Sequence, residues 1–282
     1  MLRYLGSKKQ MLDRILARRP VGRIGEYREP MLGGGSIARR VAQELPVPIW
    51  ANDADEYLIE FYRGVRDRHA EVSRRARRLM PYFPGQAARP YKDRFIKDTY
   101  ERFLHTPTVD PALRYYFCNR VGWNGRVNFD LPSRMYATCP EYWNTTAIDR
   151  LEGISSELRH WEITAHDYSV LLDAPGTNVW ILIDPPYWRN TLLHWSAKLY
   201  RCNFAAEDHR RLAACVATCR HNVLLTYDDC AEVRQMYPKA AGYHHHVELV
   251  QYLGTSRRRW ATELIITNYL PLNEAGRRSQ FF

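Results

Sequence analysis

Lysine is scarce in this chain. Its 282 residues hold six lysines against 35 arginines, within 41 basic and 31 acidic residues and a net charge of +10. The positive charge is thus almost all guanidinium, whose planar fork suits phosphates and base edges, and nucleic acid is the partner it implies. Also missing is any apolar run near the ~20 residues of a membrane-spanning helix. The opening "MLRYLGSKKQ" has no signal-peptide core, so a soluble, cytoplasmic protein is expected. The six cysteines (118, 139, 202, 215, 219 and 230) include no Cys-x-x-Cys pair and no zinc-like spacing with histidine. That excludes the common zinc modules and implies reduced thiols, with Cys215 and Cys219 in the core. His244, His245 and His246 do not restore a metal reading, because a strand would point the middle one away from its neighbours. Internal repeats and low-complexity linkers are absent too.

What the chain does have is alternation. "EYREPML" (26–32) reads as a strand running into Gly33–Gly35, and "SIARRVAQEL" then reads as a helix. "VPIWANDAD" (47–55), "WEITAHD" (161–167), "VWILID" (179–184) and "NVLLTYDD" (222–229) read as further strands, with "AAEDHRRLAACVATCR" (205–220) a helix before the last. "YHHHVELVQYL" (243–253) and "ATELIITNY" (261–269) fit a closing antiparallel pair. Strands and helices in turn predict an α/β fold with a mainly parallel sheet. An inserted, mainly helical basic region covers 57–145, leaving 1–56 and 146–282 for the sheet domain. At its start the apolar positions 58, 61, 62, 65, 72, 76 and 79 keep helical spacing, and arginines 63, 66, 68, 74, 75, 77 and 78 fill the other face. That face is expected to meet phosphates.

Four of the strands end alike. One runs into Gly33–Gly35, and the others end at Asp53, Asp167 and Asp184. Ligands of open α/β sheets bind outside the carboxyl ends of the strands, so this rim is the candidate site. The glycines allow close backbone approach beside free helix amides, and Asp53 falls where such sites hold ribose hydroxyls. "MLGGGSIA" is not the full dinucleotide fingerprint, and Glu29 adds negative charge. An acidic rim suits a cationic nucleoside, of which S-adenosylmethionine is the common one.

"DPPYW" (184–188) then has a chemical reading. Exocyclic amines of nucleobases are poor nucleophiles because their lone pair is delocalised. Asp184 and the carbonyl of Pro185 could grip the two amine hydrogens, with Pro186 stiffening the turn. Tyr187 offers a face on which a flipped base stacks, worth about 1–3 kcal/mol.

With these segments in hand, the chain resembles the Dam-like adenine-specific DNA methyltransferases, nearly end to end. "RYLGSK" (3–8), "EPMLGGGSIA" (29–38), "NDADEYLIEFY" (52–62), "YFCNRVGWNGRVNF" (116–129), "AHDY" (165–168), "DPPY" (184–187) and "ELIITNY" (263–269) are similar to that family's motifs, in its order. The resemblance implies a Rossmann-like S-adenosylmethionine-dependent sheet with an antiparallel final hairpin and an inserted DNA-recognition domain. It implies cofactor contacts from Tyr4, Lys8, Glu29, Pro30, Gly33, Gly35, Ser36, Asp53, Asp167 and Tyr168. It implies contacts to double-stranded DNA from Asn119, Arg120, Trp123, Asn124, Arg126 and Asn128, joined by Arg257 and Arg258. Met31 stands where the family has phenylalanine, and Arg126-Val127-Asn128 departs from relatives that read GATC, so the target sequence stays open. N4-cytosine or RNA N6-adenine methylation, and a silent DNA-binding module, are the alternatives.

Overall fold

The apolar run before Asp184 sets the centre of the architecture. Val179–Ile183 form a strand buried at every position, as expected where a sheet is covered on both faces. The computed structural model describes residues 2–4, 6, 8–80, 89–130, 139–191, 204–253 and 258–273. Among the described residues there are seven strands: β1 (Glu26–Glu29), β2 (Ile49–Asn52), β3 (Glu162–Thr164), β4 (Val179–Ile183), β5 (Asn222–Asp228), β6 (His244–Leu253) and β7 (Arg258–Thr267). They form one sheet in the order β3-β2-β1-β4-β5-β7-β6. Strand β1 pairs in parallel with β2 and β4, and β4 with β5. Strand β7 runs antiparallel to both β5 and β6, as the closing pair in the sequence suggested. The result is a mixed α/β fold, mostly parallel with antiparallel end strands.

The helices are α1 (Leu12–Leu16), α2 (Ser36–Glu44), α3 (Glu56–Arg78), α4 (Arg89–His105), α5 (Pro111–Val121), α6 (Thr145–Leu158), α7 (Tyr168–Asp173), α8 (Trp188–Thr191), α9 (Ala206–Thr218) and α10 (Ala231–Met236). None of those described is long and apolar enough to cross a membrane. The chain divides into two compact units, Met1–Ser7 with Asp55–Ala165, and Lys8–Ala54 with His166–Phe282.

The first unit is helical and aromatic. Its α3 starts on an Asp55 side chain that accepts the Tyr57 amide, and it breaks helical geometry at Arg68. Phe61 of α3 stacks on Tyr116 of α5 at 5.6 Å between ring centroids, and Phe117 meets Trp143 edge-on at 4.7 Å. Residues Ala112 to Val121 of α5 are all buried. The first six residues of the motif 116–129 thus belong to a core helix.

The arginine face of α3 is also corrected. Arg63 pairs with Glu60, Arg66 with Asp67, Arg68 with Asp110, Arg75 with Glu71 and Arg77 with Asp149. Five of the seven cations are thus matched within their own unit, and the face is a paired, solvated surface rather than an open cationic one.

In the second unit, β1 is the switch point, with the chain winding to β2 on one side and β4 on the other. This brings the ends of β1 and β4 together at the rim where ligands bind. Behind it lies a core of Ile181, Ile183, Leu212, Val216, Val223, Leu225, Leu264 and Ile266, with Cys215 and Cys219 packed at its margin. Asn52, fully buried at the end of β2, ties the rim together. Its amide donates to the carbonyls of Pro30 (3.0 Å) and His166 (2.9 Å) and accepts the His166 amide at 2.8 Å. Asn52→Ala leaves these buried groups unmatched, and equilibrium urea unfolding should show a loss of about 2–4 kcal/mol.

Candidate active site

The turn after β1 is shaped by glycine. Gly33 and Gly35 hold φ of +48° and +63°, a left-handed conformation that side chains disfavour. Gly35 caps α2, whose first residue is Ser36, and the Gly33 amide donates to Asp53 at 2.9 Å. Asp53, at the end of β2, thus fixes the turn with one oxygen. Pro30 supplies the carbonyl that Asn52 holds. Glu29 is 2 % exposed and accepts the Tyr27 hydroxyl at 2.7 Å. Burial, with the nearby charges of Asp184 and Asp53, pushes its carboxyl up to about 8, against the hydrogen bond from Tyr27 that lowers it. A buried acid poised near neutrality suits a cationic ligand, which would offset the desolvation that now keeps the proton on.

Across the switch point stands Asp184. The Lys8 ammonium contacts both of its oxygens, at 2.8 and 2.9 Å, and the Thr226 hydroxyl donates to one at 2.6 Å. The same ammonium lies 4.7 Å from the Tyr187 ring centroid, within cation–π range. Pro185 is buried, while Pro186 and Tyr187 are half-buried. The Tyr187 hydroxyl donates to Glu263, an acid on β7 whose carboxyl burial raises to about 7, with Lys8 and Tyr187 pulling it back down. Asp228, at the end of β5, accepts the amides of Trp188 (2.9 Å) and Arg189 (3.1 Å) and so caps α8. Asp228 thus caps a different element from the strand it ends.

Asp167 caps α7 through the Ser169 amide and forms a two-pronged ion pair with Arg211 at 2.7 and 2.9 Å. The Arg211 bonds hold its carboxyl down at about 2. Its neighbour Tyr168 is buried, with the Arg211 guanidinium 4.9 Å from its ring centroid.

The first unit holds the segment expected to meet DNA. Asn119 is fully buried there; its amide donates to the carbonyls of Arg3 (2.8 Å) and Gly125 (2.6 Å) and accepts the Arg3 amide at 2.9 Å. Arg120 is 9 % exposed and donates to the Tyr142 carbonyl. Neither side chain is presented as a base reader would be. Burial makes them braces for the turn that follows α5. In that turn Trp123 is 46 % exposed, Asn124 adopts φ +52°, and the Arg126 guanidinium lies 4.8 Å from the Trp123 ring centroid. Asn128 is half-buried and accepts the Asp130 amide. At Gly125, φ is +72° and an added Cβ would fall 2.1 Å from the Arg3 carbonyl oxygen, so only glycine fits. Tyr4, half-buried, also belongs to this unit. Arg258 begins β7, and Arg257 lies outside the described residues.

Sequence reasoning missed Asn52, Thr226, Arg211, Glu263 and Arg3. Two had a readable signal. Asn52 ends the apolar strand β2, and Glu263 directly precedes the apolar run Leu264–Ile266 of β7; polar residues beside such runs stay buried only with a partner.

Sheet order and site together fit an α/β methyltransferase. Comparison with known proteins makes the class specific: the chain belongs to the D12 class N6 adenine-specific DNA methyltransferase family, whose model matches residues 4–252. It is similar to the DNA N-6-adenine-methyltransferase of Escherichia phage P1, at 22% identity over 83% of this chain and 30% of that protein. It therefore spans about a third of the phage protein's length. It is also similar to the Type II methyltransferase M.MjaIII of Methanocaldococcus jannaschii, at 21% identity over 75% of this chain and 77% of that protein.

The raised carboxyl of Glu29 has a consequence for stability. Its folded value lies above the ordinary carboxylate value, so its contribution is full below about pH 4.5 and is lost as pH rises through about 8. Ligand-free protein should lose more stability between pH 5 and pH 8 than its Glu29→Gln variant, as read from urea midpoints across that range. Parallel midpoint curves for the two would show that Glu29 does not carry a raised value.

Proposed function

We propose that this chain transfers a methyl group from S-adenosylmethionine to the N6 amine of an adenine flipped out of duplex DNA. The observation that carries the reading is Asp184, held by Lys8 and Thr226 at the end of β4, directly before the Pro-Pro-Tyr turn and across the switch point from the glycine turn. Such an acid accepts a hydrogen from the amine while Tyr187 supplies the stacking face, so the nitrogen lone pair is freed to attack. Asp184 acts as an acceptor first, because the amine becomes acidic only once methylated. Aligning two reactants in one crevice supplies much of the acceleration.

S-adenosylmethionine, when bound, supplies an electrophilic methyl on a sulfonium. The residues that would hold it are Glu29, Pro30, the turn Gly33–Gly35 with Ser36, Asp53, and Asp167 with Tyr168; the resemblance adds Tyr4 as a face for its adenine. The acidic, glycine-shaped rim fits a cation with a nucleoside. Asp167 would exchange part of its pairing with Arg211 for the cofactor.

On the DNA side, Trp123, Asn124, Arg126 and Asn128 are the candidates for base contact, because they belong to the turn after α5 in which Trp123 is exposed. Asn119 and Arg120 would shape it from within. Arg257 and Arg258 remain candidates for phosphate contact. The target base must leave the stack to reach Tyr187.

The direct test is incubation of the purified protein with labelled S-adenosylmethionine and unmethylated duplex DNA, followed by mass analysis of the nucleosides. N6-methyladenine is expected; N4-methylcytosine, or transfer to RNA alone, would replace the substrate named here. Asp184→Ala should lower methyl transfer at least a thousandfold with the cofactor Kd nearly unchanged. Loss of cofactor binding in that variant would remove Asp184 from the amine-gripping role. Arg126→Ala should change which sites are methylated, mapped by sequencing treated DNA; an equal loss of affinity at all sequences would make it a phosphate contact.

A further inference from the structure

Strand β7 carries an acid inside an apolar stretch. Glu263 is 2 % exposed, and its cross-strand neighbour on β5 is Asp228, 7 % exposed. Like charges directly opposite one another destabilise a sheet, and burial makes each costlier still. The pair is offset by two attachments to one short segment. Glu263 accepts the hydroxyl of Tyr187, while Asp228 accepts the amides of Trp188 and Arg189, the two residues that follow it. On the other side, Pro185 and Pro186 lock the backbone torsions that lead into Tyr187.

We propose that Glu263 and Asp228 act as a two-point clamp on Tyr187, one acid at the ring's tip and the other on the backbone behind it, so that the long axis of the ring is fixed before the target base arrives. Glu263 is then a positioning residue. It touches no reacting atom and acts through the phenol. The proposal rests on the function above and deepens it. A base stacks parallel to the ring it lands on, so the tilt of Tyr187 sets the direction in which the exocyclic amine points. Displacements of about 1 Å in such alignments can cost on the order of a hundredfold in rate. The clamp also gives a reason for aromatic rather than aliphatic character plus a hydroxyl at position 187: the ring serves the base, and the hydroxyl serves Glu263.

The test is a double-mutant cycle. Glu263→Ala should lower kcat about 10- to 100-fold, with KM for DNA and the cofactor Kd within about twofold. Glu263→Gln, which keeps an oxygen acceptor, should restore kcat to within about threefold of wild type. Tyr187→Phe keeps the ring and loses the same bond, so it should lower kcat comparably, and adding Glu263→Ala to it should cost little more. Equal losses from Glu263→Ala in the wild-type and Tyr187→Phe backgrounds would overturn the clamp, as would an unchanged kcat. If Glu263→Ala does not fold, Glu263→Met takes its place in the cycle. A readout independent of catalysis separates this proposal from the proposed function. With 3-fluorotyrosine at position 187, the fluorine resonance should shift or broaden in Glu263→Ala and stay near its original position in Glu263→Gln. An unmoved resonance sinks the clamp even if methyl transfer is confirmed. A protein that transfers no methyl yet shows the shift keeps the clamp and loses the reaction assigned to it.

Discussion

One buried ammonium makes the acid corner of this protein possible. Asp184, Asp228 and Glu263 converge at the ends of β4 and β5 and on β7, and Glu29 stands at the end of the adjoining β1. Left alone, carboxylates this close and this dry would repel one another or take up protons. Lys8 is 6 % exposed, grips both oxygens of Asp184, lies over the Tyr187 ring and lowers the carboxyl of Glu263 against its desolvation. A buried ion pair is poor evidence for stability, since its desolvation offsets much of its attraction. Here it bears on geometry more than on stability. Removing the ammonium would leave Asp184 underbonded, the ring without its cation and Glu263 closer to neutral, all in a single substitution.

Around that cation the rim is divided by function. Near β1 and β2, backbone curvature and acids make a cradle: left-handed glycines, an Asp53 carboxylate tied to one amide, a protonatable Glu29. Near β4, β5 and β7, side chains are braced against movement: Thr226 on Asp184, Asp228 on the amides after Tyr187, Glu263 on its hydroxyl. Asn52 joins the loops behind β1 and β3 to the end of β2. One half is shaped to receive something, and the other to keep something still.

Much of this was legible in the sequence for a physical reason. The strand Val179–Ile183 was read to within one residue because proline cannot continue a strand, and the rim followed because β1 through β5 deliver their ends to one edge. The bracing contacts were not legible, because they join residues 35 to 176 positions apart and depend on register. Nothing local in "ATELIITNY" says that its acid will face Asp228. The basic helix misled for the opposite reason. Counting arginines along α3 ignores Glu60, Asp67 and Glu71 on the same helix and Asp110 and Asp149 from elsewhere in its unit, which together match five of the seven.

The same correction applies to how a motif is used. "NRVGWNG" looks like a string of polar readers, and half of it turns out to be internal bracing. Asn119 holds Arg3 and Gly125, and Arg120 holds the Tyr142 carbonyl. Arg3 in turn donates to the carbonyls of Arg120 and Gly122 and stacks 4.1 Å from the Tyr142 ring centroid. Asn119 is fully buried and places its side-chain NH2 on two carbonyls, so it anchors the turn that carries Trp123 and Arg126. Residue types that suit DNA therefore occur in two settings in this segment: Asn119 and Arg120 are buried and hold the turn, while Trp123 is exposed. Burial separates the two sets, and no pattern of residue types along the chain does so.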